Sequence, residues 1–259
     1  LGELRAAFAG TRLQARVRPG QRVAVAVGSR GISRLPQLVA AVVACLRGLG
    51  LAPFIIPAMG SHGRATAEGQ AALLGDLGVD EAGAGAPVVS SMAVDSLGRL
   101  ATGAEVFCAR DALTADHLVL INRVKPHTAF RSRVESGLCK MLAVGLGKER
   151  GAATLHKYGL ARTLVPAAER ILAHAPVLCG IAVVENARDE IHTLRLVGPE
   201  DFAAADAELL VTARALLPRI PLDDLDILLV DEMGKNVSGT GIDPNVVGFW
   251  RRGGGERSP

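Results

Sequence analysis

The sequence predicts an α/β fold built on a doubly wound, mostly parallel β-sheet. Short continuous apolar runs, such as RVAVAVG at 22–28, alternate with segments whose apolar residues recur at helical spacing. Glycine-rich polar segments follow directly after several of these runs. Strands buried on both faces have this continuous apolar character, and their alternation with helices is typical of parallel sheets. We therefore expect a Rossmann-like domain with helices on both faces of the sheet.

The individual elements follow from the same patterns. Strands are predicted at 22–28, 53–59, 117–122, 177–185 and 190–197, and helices at 33–49, 65–77, 162–173 and 199–217. The last two strands flank a polar turn, which favours an antiparallel hairpin at a sheet edge. Two prolines within 218–224 end the last helix and indicate a linker. We expect one domain over residues 1–221 and, at 222–259, the beginning of a truncated second α/β domain that opens with a strand at 226–231.

The composition excludes several classes of protein. The 259 residues are 49% hydrophobic, carry a formal net charge of +3, and include only 1 Trp, 1 Tyr and 6 Phe. So few stacking rings and so little excess charge make the chain a poor candidate for binding nucleic acid. No apolar run reaches the roughly 18 to 20 residues that cross a bilayer, and the four cysteines form no C-x-x-C pair. We expect a cytoplasmic protein that binds neither nucleic acid nor membrane.

Two polar loops follow the first two predicted strands, where doubly wound sheets bind their ligands. The first contains Ser29 and Arg30 between glycines. A hydroxyl, a guanidinium and backbone N–H groups at a helix start suit a phosphate, although an ordinary tight turn has the same pattern. The second contains His62 between Ser61 and Gly63. A histidine there fits proton transfer near neutral pH or is a solvated bystander.

Two further segments are dense in polar groups. Arg123 and His127 lie directly after the third predicted strand, where they are either functional or part of a structural loop. Lys140 stands within an apolar stretch, and a buried ammonium is costly unless it is paired or modified. The glycines that follow do not complete a nucleotide motif, because Leu142 and Glu149 occupy positions that a P-loop requires to be Gly and Ser/Thr.

Four features together resemble the lactate racemase family, and in particular its uncharacterised homologues. They are Gly60-Ser61-His62-Gly63, Pro126-His127, Ser136-Gly137-x-x-Lys140 and His156. The family uses a nickel-pincer nucleotide, in which nickel is bound to pyridinium-3-thioamide-5-thiocarboxylic acid mononucleotide. The resemblance implies that Lys140 carries this cofactor covalently as a thioamide. It also implies that His156, sixteen residues later, is a nickel ligand.

The resemblance further implies that His62 and His127 are the acid/base pair of a 2-hydroxy acid racemase or epimerase. One histidine takes the hydroxyl proton while hydride passes reversibly to the cofactor, so two bases serve the two enantiomers. Ser29, Arg30 and Arg123 are then expected to bind the cofactor or the substrate carboxylate. The expected partners are a small 2-hydroxy acid and the enzymes that make the cofactor.

Two alternatives remain open from the residues alone. The same histidines suit a lyase or hydratase without redox chemistry, and the loops suit a non-catalytic α/β domain that binds a phosphorylated small molecule. Substrate contacts from the second domain are expected near Lys235 or Asn236.

Overall fold

A computed structural model of the chain describes residues 2–10, 12–222, 224–234, 238 and 241–248. Seven strands occur in these ranges: β1 Arg22–Val27, β2 Ala52–Pro57, β3 Val94–Arg99, β4 Glu105–Ala109, β5 His117–Arg123, β6 Val177–Glu185 and β7 Ile191–Val197. Five of them form one sheet in the order β2-β1-β5-β6-β7. The first four are parallel, and β7 pairs antiparallel with β6. The predicted mostly parallel α/β fold with an antiparallel edge hairpin is confirmed.

Ten α-helical segments are formed in the described ranges. They are α1 Gly2–Gly10, α2 Leu35–Gly48, α3 Ala67–Asp76, α4 Glu81–Ala84, α5 Arg110–Leu113, α6 Leu138–Lys140, α7 Lys148–Tyr158, α8 Leu160–Leu172, α9 Phe202–Ala215 and α10 Pro244–Val247. Short 3₁₀ turns cover Arg12–Arg16, Gly63–Ala65 and Pro199–Asp201, and a π-helical turn at Met141–Gly145 joins α6 towards α7. Such π turns are rare and are frequently found at functional sites.

The sheet is buried on both faces, which explains why its strands are continuously apolar. In β1, Val23 and Val25 face one hydrophobic cluster while Ala24 and Ala26 face another. The first cluster is completed by α1, α2 and α3, and the second by the helices from α6 to α9. The two layers of helices cover the faces of the sheet. Because four of its strands are parallel, their carboxyl ends lie together at one edge.

The structure corrects two of the predicted elements. The strand predicted at 226–231 is wrong, because this segment is irregular and leaves Ile227 and Leu229 exposed by 77% and 87%. Among the described residues, this segment pairs with none of the strands. The hairpin of β3 and β4 was not predicted, because β3 has the mixed sequence VDSLGR and is only partly buried. The domain boundary near residue 221 stays a prediction.

No helix in the described ranges has the length and apolar character needed to cross a membrane.

The packing of α9 on the sheet gives a direct test of the core. Leu210 is 2% exposed and its neighbour Val211 is 67% exposed. We expect Leu210→Ala to lower the free energy of unfolding by about 2–5 kcal/mol, because it leaves a cavity. The matched control Val211→Ala should change it by less than about 0.5 kcal/mol. Equilibrium urea denaturation measures both values, and equal losses would contradict this orientation of α9.

Candidate functional site

The site lies at the point where the strand order of the sheet reverses. β1 is followed along the chain by β2 on one side, whereas β5 lies on the other side of β1. The loops after β1 and β5 therefore diverge and leave a crevice at the carboxyl edge, the usual place for ligands in such sheets. A cavity of about 330 Å³ opens there. All seven predicted site residues line it: Ser29, Arg30, His62, Arg123, His127, Lys140 and His156.

The loop after β1 differs in one respect from its prediction. Helix α2 begins at Leu35, four residues beyond Gly31, because Arg34 adopts a left-handed conformation with φ 56°. The N–H groups of the Gly28–Gly31 segment therefore do not form a helix N-terminus. Ser29 instead places its Oγ in hydrogen-bond contact with Nδ1 of His62. The predicted contact of Ser29 with a cofactor is not excluded by this bond and stays a prediction.

His62 lies in the loop after β2 with its ring open to the cavity. Partial burial lowers its pKa, and the positive charges of Arg30 and Lys140 lower it further. The ring is thus neutral near pH 7 and can accept a proton. Its bond to Ser29 fixes which ring nitrogen remains available to a ligand.

His127 is held in the loop after β5 by its backbone and its ring. Its N–H donates to Oε2 of Glu135 over 2.8 Å, and its Nδ1 accepts the N–H of Ala129 over 3.0 Å. The ring centroid lies 4.4 Å from that of Phe130. Burial lowers the pKa of His127 to about 3, with further contributions from Lys140, His156 and Lys125. The acceptor role of Nδ1 assigns the proton of the neutral ring to Nε2.

Glu135 organises this loop and was not found by sequence reasoning. Its side chain is fully buried, and its Oε1 accepts hydrogen bonds from the N–H of Ser132 over 2.9 Å and from Arg214 over 2.7 Å. Buried carboxylates require such partners. Its role depends on Arg214 in α9, a partner 79 residues away in the chain, so local sequence carries no signal for it.

Lys140 ends the three-residue helix α6, whose start is fixed by a second buried carboxylate. Asp206 of α9 is 1% exposed and accepts the N–H groups of Leu138 over 2.9 Å and Cys139 over 2.8 Å. Gly137, with φ 88°, leaves room for it, since a Cβ there would lie 2.1 Å from the Asp206 carboxylate. Burial raises the pKa of Asp206 to about 6. These two hydrogen bonds therefore hold the backbone before Lys140 against α9.

The amine of Lys140 is poised for covalent chemistry. The side chain keeps some solvent contact through the cavity but is otherwise tightly enclosed, and this desolvation lowers its pKa to about 8. The charges of Lys125 and Arg30 add to the effect. A lysine with such a pKa has an appreciable neutral, nucleophilic fraction at neutral pH.

His156 lies on the last turn of α7 and is accessible to solvent. Its Nδ1–H donates to the carbonyl of Ala152 over 2.6 Å, which leaves the Nε2 lone pair for a metal. In the part of the chain that the structure describes, no group of three His, Cys, Asp or Glu side chains could hold a metal ion.

The remaining walls of the cavity favour an anion. Arg123 pairs with the nearly buried Glu185, yet its Nε is buried and finds no acceptor among the described residues. Lys125, which sequence reasoning did not single out, also lines the cavity, and burial together with Arg123 lowers its pKa. With Arg30 and Lys140, this gives four cationic side chains that line the cavity, and the carboxylates of Glu185, Asp243 and Glu135 offset their charges in part. A negatively charged ligand would stabilise the cluster.

The expected substrate contacts near Lys235 and Asn236 lie outside the described residues.

Comparison with known proteins identifies relatives of this chain. Residues 3–161 match the family described as the lactate racemase N-terminal domain. No curated protein matches the sequence.

Two solved structures are similar in fold. The crystal structure of a protein from Thermotoga maritima is 16% identical, with a TM-score of 0.69 over 91% of this chain and 63% of that one. The lactate racemase apoprotein of Thermoanaerobacterium thermosaccharolyticum is 14% identical, with a TM-score of 0.54 over 80% of this chain and 54% of that one. This chain thus spans less than two thirds of the length of either protein.

The clamp on the Lys140 turn can be tested with Asp206→Asn. An amide offers only one acceptor oxygen to the two N–H groups that Asp206 now accepts. We expect the free energy of unfolding to fall by about 1–3 kcal/mol. The control Asp201→Asn, at an exposed residue whose side chain makes no capping bond to α9, should cost about 0.5 kcal/mol or less. Urea denaturation distinguishes them, and an undiminished stability of Asp206→Asn would contradict the clamp.

Proposed function

Because this chain belongs to the family of the lactate racemase N-terminal domain, we propose that it is the cofactor-binding domain of a 2-hydroxy acid racemase or epimerase. The observation that carries the proposal is the meeting of four side chains at one cavity: His62, His127, Lys140 and His156. They come from separate loops and helices. In the same order, they can serve as a base, a hydrogen-bond donor, a nucleophile and a metal ligand.

The residues of the cavity fit the nickel-pincer nucleotide of the family. Lys140 would hold it as a thioamide, a change that removes an ammonium from a site where charge is unfavourable. His156 would offer Nε2 to nickel, a metal for which imidazole and soft sulfur are suitable ligands. The orphaned Nε of Arg123, together with Arg30, would bind the phosphate or a carboxylate. When bound, the group supplies a reversible acceptor for hydride.

The two histidines would move the proton of the substrate hydroxyl. If Nδ1–H of His62 donates to Ser29, its Nε2 is free to take that proton. His127 carries its proton on Nε2 while Nδ1 accepts from Ala129, so it presents a donor. Facing the cavity, the acceptor of His62 and the donor of His127 can both hydrogen-bond the substrate hydroxyl. For the opposite enantiomer His127 would act as the base once its proton has moved from Nε2 to Nδ1.

We further propose that the enzymes that make the nucleotide are partners of this protein, and that it works in the cytoplasm. The four cysteines are free, which fits a reducing compartment.

The tether can be tested without knowing the substrate. The chain is produced together with the enzymes that make the cofactor, and intact mass, peptide mapping and nickel content are measured. We expect an adduct on Lys140 with bound nickel. Lys140→Arg should abolish the adduct, because an arginine cannot form the thioamide, whereas Lys157→Arg, at an exposed position on α7, should retain it. An unmodified Lys140 would count against the proposal and favour a domain that binds a phosphorylated molecule without tethering it.

The proton-transfer role predicts a loss of activity in His127→Ala. Interconversion of D- and L-lactate, or of another accepted 2-hydroxy acid, is followed in the cofactor-loaded protein. We expect the rate to fall by about 10²–10⁴-fold, the usual contribution of general acid–base catalysis. His192→Ala, at an exposed position on β7, should retain the native rate. Full activity in His127→Ala would remove this residue from the mechanism.

A further inference from the structure

A buried lysine that the mechanism does not use lies at the start of α7. Lys148 is only 2% exposed, and its Nζ donates to the carbonyl of Pro57 over 2.6 Å and to Oε1 of Gln70 over 2.9 Å. No carboxylate pairs with it among the described residues. Its φ of 52° is also one that residues other than glycine rarely adopt. A buried ammonium and a left-handed backbone are both unfavourable, and here they coincide.

The partner of this lysine reaches the loop that carries His62. Gln70 of α3 is fully buried, and its Nε2 donates to the carbonyls of Gly60 over 2.9 Å and of His62 over 3.2 Å. Carbonyls only accept hydrogen bonds, so the amide nitrogen must face the loop and the amide oxygen must face a donor. That donor is Lys148. The lysine therefore determines the orientation in which Gln70 holds the loop.

The same region is joined by direct backbone contact. The N–H of Gly60 donates to the carbonyl of Gly145 over 3.1 Å. A Cβ on Gly145 would lie 2.7 Å from the carbonyl oxygen of Ala58, so the two segments approach as closely as backbones can. Lys148 begins α7, the helix whose last turn carries His156. The hydrogen bonds of Lys148 and Gln70 thus connect the His62 loop with the helix of His156.

Packing alone does not account for this pair. An apolar side chain of similar length at either position would fill the space without burying an ammonium or an amide. The polar pair fixes the position of the loop instead. Two hydrogen bonds from Gln70 hold the carbonyls of Gly60 and His62, and two from Lys148 hold Gln70 and the carbonyl of Pro57. Displacements of a fraction of an ångström matter for a group that transfers a proton.

We propose that Lys148 and Gln70 are positioning residues that hold His62 against Ser29 and at a fixed place relative to His156. The proposal rests on the acid/base role of His62 for its significance, although the positioning itself is a property of the chain without cofactor.

The test measures whether Ser29 still affects the titration midpoint of His62 when the hydrogen bonds between Lys148, Gln70 and the His62 loop are removed. The ring signals of His62 are followed by NMR as a function of pH in the cofactor-free chain. The effect of Ser29→Ala on the titration midpoint of His62 is determined in three backgrounds: native, Gln70→Met and Gln70→Glu. Methionine is similar in length and uncharged, whereas glutamate keeps its partner Lys148 but turns an oxygen towards the carbonyls of Gly60 and His62. Because the two replacements differ in charge, a loss of the Ser29→Ala effect in both of them does not come from the charge at position 70.

In the native background we expect Ser29→Ala to shift the midpoint by about 0.5 pH unit or more, as the loss of a hydrogen bond requires. In both Gln70 backgrounds the shift should vanish, because the ring has left Ser29. The control Glu68→Gln, the reverse exchange at an exposed position of the same helix, should retain the full shift. If Gln70→Met does not fold, Lys148→Met takes its place beside Gln70→Glu. An equal shift in every folded background, or no shift in the native one, would overturn the proposal.

A separate measurement distinguishes this proposal from the proposed function. The racemisation of lactate is assayed in the cofactor-loaded native and Gln70→Glu proteins. Suppose that Gln70→Glu removes the effect of Ser29→Ala on the His62 midpoint, here called the Ser29 coupling, and lowers kcat by about 10-fold or more at unchanged KM. This result supports both the positioning role and the proposed function. The assay is repeated with the other 2-hydroxy acids of the His127→Ala test, and a lost coupling in a protein that racemises none of them supports the positioning and contradicts the function.

Discussion

The accumulation of positive charge around Lys140 is the constraint on which the cavity depends. Lys125, Arg30 and Arg123 line the same space, and one nearly buried carboxylate, Glu185, pairs with Arg123. Removing these cations from water is unfavourable, and the lowered pKa values of Lys140 and Lys125 express that cost. Neutralising Lys140 or adding an anion relieves it. A negatively charged ligand would therefore be stabilised in this cavity.

The fold and the position of the cavity could be predicted because their signals are local. The strands β1 and β5 contain the continuous apolar runs 23–27 and 118–121, and a parallel sheet brings the loops after them to one edge. His62, His127 and Lys140 stood out because each is a reactive side chain in or beside such a loop. The hairpin of β3 and β4 lacked this signal, since β3 (VDSLGR) has no regular apolar pattern and is only partly buried, and β4 (EVFCA) has a short apolar run.

The residues that hold the site in place could not be predicted, because their roles depend on tertiary contacts with residues far away in the sequence. Asp206 lies in the helical sequence AAADAE and looks like any solvent-facing residue until α9 packs against a turn 68 residues earlier in the chain. Lys148 and Gln70 are separated by 78 residues. A buried polar side chain is recognisable only once its partner is known. The partner of Ser29 was likewise hidden, since only the folded chain brings it to His62.

Cys139 lies next to Lys140 in sequence, but its side chain is buried beside Asp206 and does not line the cavity. Burial and the neighbouring carboxylate raise the pKa of this thiol far above its usual range. It therefore remains protonated at physiological pH, and a protonated thiol is neither a good nucleophile nor a metal ligand. Copper and zinc bind thiolates, and Cys139 offers none, so the sulfur atoms that line the cavity beside His156 are the thioethers of Met59 and Met141. The packing of the turn before Lys140 thus keeps the thiol of Cys139 protonated and turned away from the cavity that its neighbour lines.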